Sequence, residues 1–146
     1  MAEVNRVWRL RKRPVGLIGD DVLSLERESI PEPAAGEFVF RLNYLSLDPT
    51  NRIWMSDMDQ YMPPVALGAP MRGVVCGTVT KSANPEFNVG DVVSGLGVWA
   101  DYQKSVPGMS FWVSRYSAFF HKIRYSSSLA IWIFVFLRFR HHNRTT

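Results

Sequence analysis

Glu37-Phe38-Val39-Phe40-Arg41-Leu42-Asn43-Tyr44 is the stretch on which the fold turns. Phe38, Phe40, Leu42 and Tyr44 alternate with Glu37, Val39, Arg41 and Asn43. Successive side chains of a strand leave on opposite faces. A period of two therefore predicts a half-buried β-strand with the first four residues toward the core. Downstream, Gly73-Val74-Val75-Cys76-Gly77-Thr78-Val79-Thr80 is β-branched and studded with glycine, which predicts a strand that bends or runs close against another backbone. Asn88-Val89-Gly90-Asp91 predicts a turn into Val92-Val93, and residues 98–103 a last strand. Upstream, Val4, Trp8 and Leu10 outline an opening strand, and Val22, Leu23 and Leu25 a second. Between them and the central strand, Pro31, Pro33 and Gly36 make an extended segment ending in a turn.

Asp48-Pro49 reads as a helix entry, because a carboxylate accepts from a free backbone N–H and proline suits the first helical position. A helix of one or two turns through 51–55 follows, and then a loop framed by Pro63-Pro64, Gly68 and Pro70. Short strands with little helix predict a mainly β fold, a small, partly open barrel with one or two short helices.

Composition limits the function classes. The chain has 146 residues, 47% apolar and 21% charged, which suits one globular domain and excludes a disordered or collagen-like chain. Residues 1–103 carry 10 Lys/Arg against 13 Asp/Glu, whereas residues 104–146 carry seven Lys/Arg and no acid. The net charge of +4 thus belongs to the tail, and a nucleic-acid partner is not expected. All three histidines and 10 of the 19 aromatic residues also lie after Gln103. The division predicts a folded domain over 1–103 and an irregular basic, aromatic tail over 104–146. No basic start followed by an apolar run opens the chain, so a cytoplasmic, reducing setting is expected. The tail run Leu-Ala-Ile-Trp-Ile-Phe-Val-Phe-Leu at 129–137 is nine residues long, against about 20 for a spanning helix. A buried strand, an interfacial segment and an aggregation-prone exposed segment all fit it.

Four linked motifs carry a resemblance. They are Leu45-Ser46-Leu47-Asp48-Pro49-Thr50-Asn51-Arg52, Tyr61-Met62-Pro63-Pro64, Leu67-Gly68-Ala69-Pro70-Met71-Arg72-Gly73, and Phe87-Asn88-Val89-Gly90-Asp91-Val92-Val93-Ser94-Gly95. In this order and spacing, residues 4–103 resemble the N-terminal half of the zinc-independent, NADPH-dependent medium-chain reductases, the group of leukotriene B4 dehydrogenase/prostaglandin reductase, alkenal reductase and curcumin reductase. The resemblance implies a GroES-like substrate domain. It also implies reduction of a carbon–carbon double bond conjugated to a carbonyl, with a small-molecule enone as substrate and NADPH as cofactor. The family often has Tyr-Met after Asp-Pro near the nicotinamide, where this chain has Thr50-Asn51. The resemblance stops at Gln103, and no G-x-G-x-x-G follows. On that reading the chain is truncated, and a retained intron, a frameshift or an early stop accounts for residues 104–146. Gly95-Leu96-Gly97 reads as a turn and not as a phosphate cradle.

Tyr61 is the expected substrate contact: it sits in a proline-bounded loop and matches a position lining the family's substrate pocket. Packing of the loop onto the barrel accounts for it equally well. Met62 and Trp54 supply apolar walls for an enone or serve as core. Thr50 and Asn51, at the helix start, are placed to hydrogen-bond the nicotinamide side of the cofactor. Asp48 reads as a helix cap, Arg52 and Arg72 as loop braces or anion binders, and Arg9 to Arg13 as a solvated strand edge. No catalytic residue is assigned. Zinc requires three protein ligands; Cys76 lies in an apolar run and the nearest histidine is His121, so no metal site is expected. The alternative to a reductase domain is a non-enzymatic interaction module whose tail meets an anionic membrane surface or a partner.

Overall fold

The computed structural model describes residues 3–105 and the backbone of 136–138. Strands β1 (Asn5–Leu10) and β2 (Leu23–Glu28) form an antiparallel pair. The larger sheet holds β3 (Phe38–Ser46), β4 (Arg72–Ser82), β5 (Val92–Val98), β6 (Tyr102–Lys104) and β7 (Phe136–Arg138). Its order is β5-β4-β3, with β6 and β7 sharing the outer edge of β3. One short helix, α1 (Pro49–Trp54), links β3 toward β4. The sheets stay open. Bridges Val7↔Ala100 and Arg9↔Pro70 tie β1 to the larger sheet, giving the partly open, GroES-like arrangement.

β3 keeps the expected alternation only in part. Phe38, Phe40 and Leu42 are buried, but so is Val39. Beyond Leu42 the phase inverts: Tyr44 is 38% exposed and Leu45 only 3%. The reason is a pair of register shifts against β4, between Val39 and Phe40 and between Leu42 and Tyr44. An extra residue in one strand turns the following side chains to the opposite face. Asn43, at the second shift, donates from Nδ2 to Thr78 Oγ1 at 2.7 Å.

Two apolar clusters result. Phe38, Phe40, Leu42, Leu45, Val75, Val79 and Val93 form the core of the β3–β4–β5 sheet. Leu10, Val22, Trp54, Met55, Val65 and Met71 form a second under α1 and the 55–71 loop. Trp99 packs against both.

Three expectations need correction. Gly95-Leu96-Gly97 is no turn but the middle of β5. A Cβ on Gly97 would stand 2.3 Å from Gln103 Oε1 and 2.6 Å from Val75 Cγ2, so glycine there permits close approach within a strand. Residues 98–103 are not one strand, because the chain turns through Trp99, Ala100 and Asp101 before β6. The irregular tail gains a strand at Phe136–Arg138, which takes the backbone edge of Tyr44, Leu45 and Ser46. An unpaired strand edge offers free N–H and C=O groups that another segment can satisfy. The remaining expectations about residues 106–135 and 139–146 lie outside the described residues.

Candidate functional site

The candidate site grows from the junction of β3 and α1. Ser46, fully buried at the end of β3, donates from Oγ to Asp48 Oδ2 at 2.7 Å. Asp48 therefore stays at the helix entry, and its own N–H donates to Asn51 Oδ1 at 2.6 Å, the reciprocal half of a capping box. From the other end of that amide, Asn51 Nδ2 donates to the Arg72 carbonyl at 3.1 Å, fastening α1 to β4. At 5% exposure, Asn51 has both ends of its side chain committed inside the protein. Thr50, beside it in the first turn, is half-buried and its hydroxyl takes no hydrogen-bond partner among the described residues.

Trp54 closes α1, 5% exposed. Its indole Nε1 donates to Tyr61 Oη at 3.0 Å. Tyr61 is otherwise open to solvent, 71% exposed, and Met62 packs against the cluster that contains Trp54. The loop and the helix are thus joined by the residues that the sequence singles out: Trp54, Tyr61 and Met62 come together, with Thr50 and Asn51 one turn earlier on the same helix. Tyr61 is bonded to the indole of Trp54 and presents its ring outward.

The arginines frame this region. Arg52 donates to the carbonyls of Pro14 and Gly16 at 2.9 and 3.3 Å and to Ser56 Oγ at 2.7 Å. Arg13 donates from Nη1 to the carbonyls of Met55 and Val65 at 3.0 and 2.6 Å. Arg9 pairs with Glu26 and Glu28 across the β1–β2 ladder. The segment from Arg9 to Arg13 is therefore more than a solvated edge: Arg13 gives otherwise unpaired loop carbonyls their donors. Arg72 lies 5.6 Å from the Trp54 ring centroid, a cation–π contact, and donates from Nη1 to the Pro63 carbonyl at 3.0 Å.

Sequence reasoning missed a cleft of about 340 Å³, bounded by the 65–72 segment, β5 and β6. Val65, Ala66, Leu96 and Gln103 line it, with Arg72 and Lys104 as its two cationic residues. None of Thr50, Asn51, Trp54, Tyr61 or Met62 does; Arg72, beside the Trp54 ring, and Val65, whose N–H donates to the Trp54 carbonyl at 2.9 Å, connect the two places. No periodicity reveals such a space, because it lies between segments distant in sequence.

Electrostatic perturbation lies away from the helix–loop site. Burial, and then a hydrogen bond to the Glu3 carboxylate, pushes the Tyr102 hydroxyl up to about 12. Burial also raises the half-buried Cys76 thiol, which disfavours the reactive thiolate. Among the described residues no three His, Cys, Asp or Glu side chains gather as a metal site, and no helix is long and apolar enough to cross a membrane.

Residues 6–113 match the family described as the N-terminal domain of oxidoreductase. The chain belongs to that family. This oxidoreductase N-terminal domain is 40% identical over 101 residues to the NADPH-dependent curcumin reductase of Escherichia coli, covering 69% of the chain and 29% of the relative. It is 33% identical over 79 residues to the NADP(+)-dependent 2-alkenal reductase of Nicotiana tabacum, covering 53% and 23%. Among solved structures, it is similar to CurA of Vibrio vulnificus in complex with NADPH, with a TM-score of 0.66 and 40% identity over 68% of this chain and 30% of that one. By sequence and by fold the chain is thus similar to the N-terminal part of these NADP-dependent reductases, and it spans under a third of their length.

Proposed function

We propose that this chain is the substrate domain of an NADPH-dependent reductase acting on carbon–carbon double bonds conjugated to a carbonyl, and that it is inactive by itself. The observation that carries the reading is the Trp54–Tyr61 hydrogen bond, which fixes a proline-bounded loop beside α1. Tyr61, Met62 and Trp54 contact the enone: the ring and thioether pack on its apolar body, and the exposed phenol ring closes over it. Thr50 meets the nicotinamide side of the cofactor. Asn51 acts there by holding the helix start in place, since its amide is already spent on Asp48 and Arg72. NADPH supplies the hydride when bound. The described residues do not form a seat for its pyrophosphate: Gly95 and Gly97 lie within β5 and open no helix. No step of hydride transfer is therefore assigned to this chain. The domain boundary at 103, with a non-family tail over 104–146, belongs to the same reading; the family match extends ten residues further.

Titration of the full chain with 4-phenyl-3-buten-2-one, followed by the Trp54 indole N–H resonance, tests the reading. The expected result is a saturable shift of that resonance, altered in Tyr61→Phe, with no consumption of NADPH. Shifts confined to residues away from α1 and the 58–64 loop would overturn the site, a micromolar NADPH dissociation constant would overturn the expected lack of dinucleotide affinity, and consumption of NADPH would overturn the claim of inactivity.

A further inference from the structure

A cleft apart from the helix–loop residues lies between the 65–72 segment and β5. Its volume of about 340 Å³ suits a small organic ligand. Its walls are mainly apolar, with Val65, Ala66, Leu96 and Val98 among them, and no acidic residue lines it. Five of its lining residues carry polar side chains, Arg72, Ser94, Gln103, Lys104 and Ser105, and the last three are committed; Ser105 Oγ accepts from the Phe38 N–H at 2.9 Å. Gln103 closes on Val98, accepting from its N–H at 2.9 Å and donating to its carbonyl at 3.2 Å. Lys104 pairs with Glu37 at 3.0 Å. Arg72 differs: of its guanidinium donors only Nη1 has a hydrogen-bond partner among the described residues, the Pro63 carbonyl. The Trp54 ring and that carbonyl hold the side chain at two points. A guanidinium so restrained loses little further freedom when a planar oxyanion accepts its remaining N–H groups.

We propose that this cleft binds an amphipathic anion, an apolar body carrying a carboxylate or phosphate that Arg72 takes. The apolar body lies along Val65 and Leu96, and the oxyanion meets the guanidinium at the edge nearest Trp54. This site stands independently of the enone reading, because the recognised groups are the charge and the apolar body and no double bond is involved. The carboxylate source is a small-molecule acid; the phosphate source is a nucleotide.

The test uses the full chain, with 4-phenylbutyrate as the carboxylate probe, phenyl phosphate as the phosphate probe and neutral 4-phenylbutyramide as the control. Backbone amide resonances of Ala66, Gly95 and Gly97 report occupancy, and those of Leu10 and Val79 report that the fold is intact. Ligands of this size are expected to bind at about millimolar dissociation constants. Arg72→Gln weakens the acid about tenfold, and Arg72→Lys, which keeps the charge but not the fork, weakens it less. Ala66→Trp, at an exposed rim position, blocks the cleft while leaving Arg72 in place. Binding of only the carboxylate supports a small-molecule acid, and binding of only the phosphate supports a nucleotide. If both bind, the oxyanion itself is the recognised feature. The proposal is overturned if neither probe moves the cleft resonances, if the amide binds as well as the acids, or if Arg72→Gln leaves affinity unchanged.

Discussion

The two cores of this domain are built on different principles. The sheet core draws on β3, β4 and β5, where side chains from neighbouring strands meet at regular spacing and Phe38 stacks on Phe87 with ring centroids 4.5 Å apart. The helix–loop core collects six residues from five places: Leu10, Val22, the neighbours Trp54 and Met55, Val65 and Met71. Side-chain donors to backbone oxygens, chiefly from Arg13 and Arg52, replace the strand ladder there. A sheet satisfies its own backbone, whereas a loop must borrow partners. The candidate enone contacts sit on the second kind of core, whose geometry rests on a few identifiable hydrogen bonds.

The sharpest way to break this contrast is to empty each core in turn. Phe38→Ala is expected to cost about 4 kcal/mol and Met71→Ala about 3 kcal/mol, read from urea unfolding. The two are expected to differ in character as well as size. Phe38→Ala lowers one transition seen alike by far-ultraviolet circular dichroism and by the Trp54 indole resonance. Met71→Ala lets the Trp54 signal melt before the sheet, because the loop core has fewer independent supports. Coincident transitions in both variants would mean that Trp99, packed on both clusters, couples them into one cooperative unit.

A smaller effect is expected at the joint. Asn51→Ala removes the bond from the Asp48 N–H and the bond to the Arg72 carbonyl together, leaving that N–H without its acceptor, half of the capping box gone and a buried gap. About 2 kcal/mol is expected, with the loss concentrated in the helix–loop core and visible as a changed Trp54 resonance. If Asn51→Ala alters enone binding no more than it alters stability, the residue's part in the site is purely to hold α1.

The smallest effect separates the cores by pH. Tyr102 belongs to the sheet side, and its hydroxyl is held above the ordinary tyrosine value, up to about 12, by burial and by Glu3. A raised pKa in the folded state means that its contribution is complete below about pH 10 and is lost as the pH climbs toward 12. Tyr102→Phe should therefore flatten the decline in stability between pH 10 and 12 relative to the unchanged chain, as measured by urea midpoints. An equal decline in both would show that Tyr102 does not drive it.

The sheet core was largely legible in the sequence because alternation is a local signal. Phe38, Phe40 and Leu42 fall inward as the two-residue period requires. Tyr44 does not, since a bulge is set by how β3 registers against β4 and leaves no periodic trace in β3 alone. Asp48-Pro49 announced α1 correctly, by cap chemistry confined to a few neighbouring residues. The loop core offered no period to follow. Arg13 reads as a surface charge until its bonds to Met55 and Val65, over 40 residues away, are known. The cleft beside Arg72 was invisible for the same reason.

By itself, then, the amino-acid sequence determined that the chain is mainly β, where its helix begins, and which family of oxidoreductase domains it belongs to, since each rests on residues close together in the chain or on motifs in a fixed order. Tertiary structure alone decided the phase of β3 after Leu42, the strand identity of Gly95 to Gly97, the internal use of Asn51 and the open donors of Arg72. Each of these depends on which distant backbone or side chain stands opposite, and contact at long range is fixed only when the segments pack.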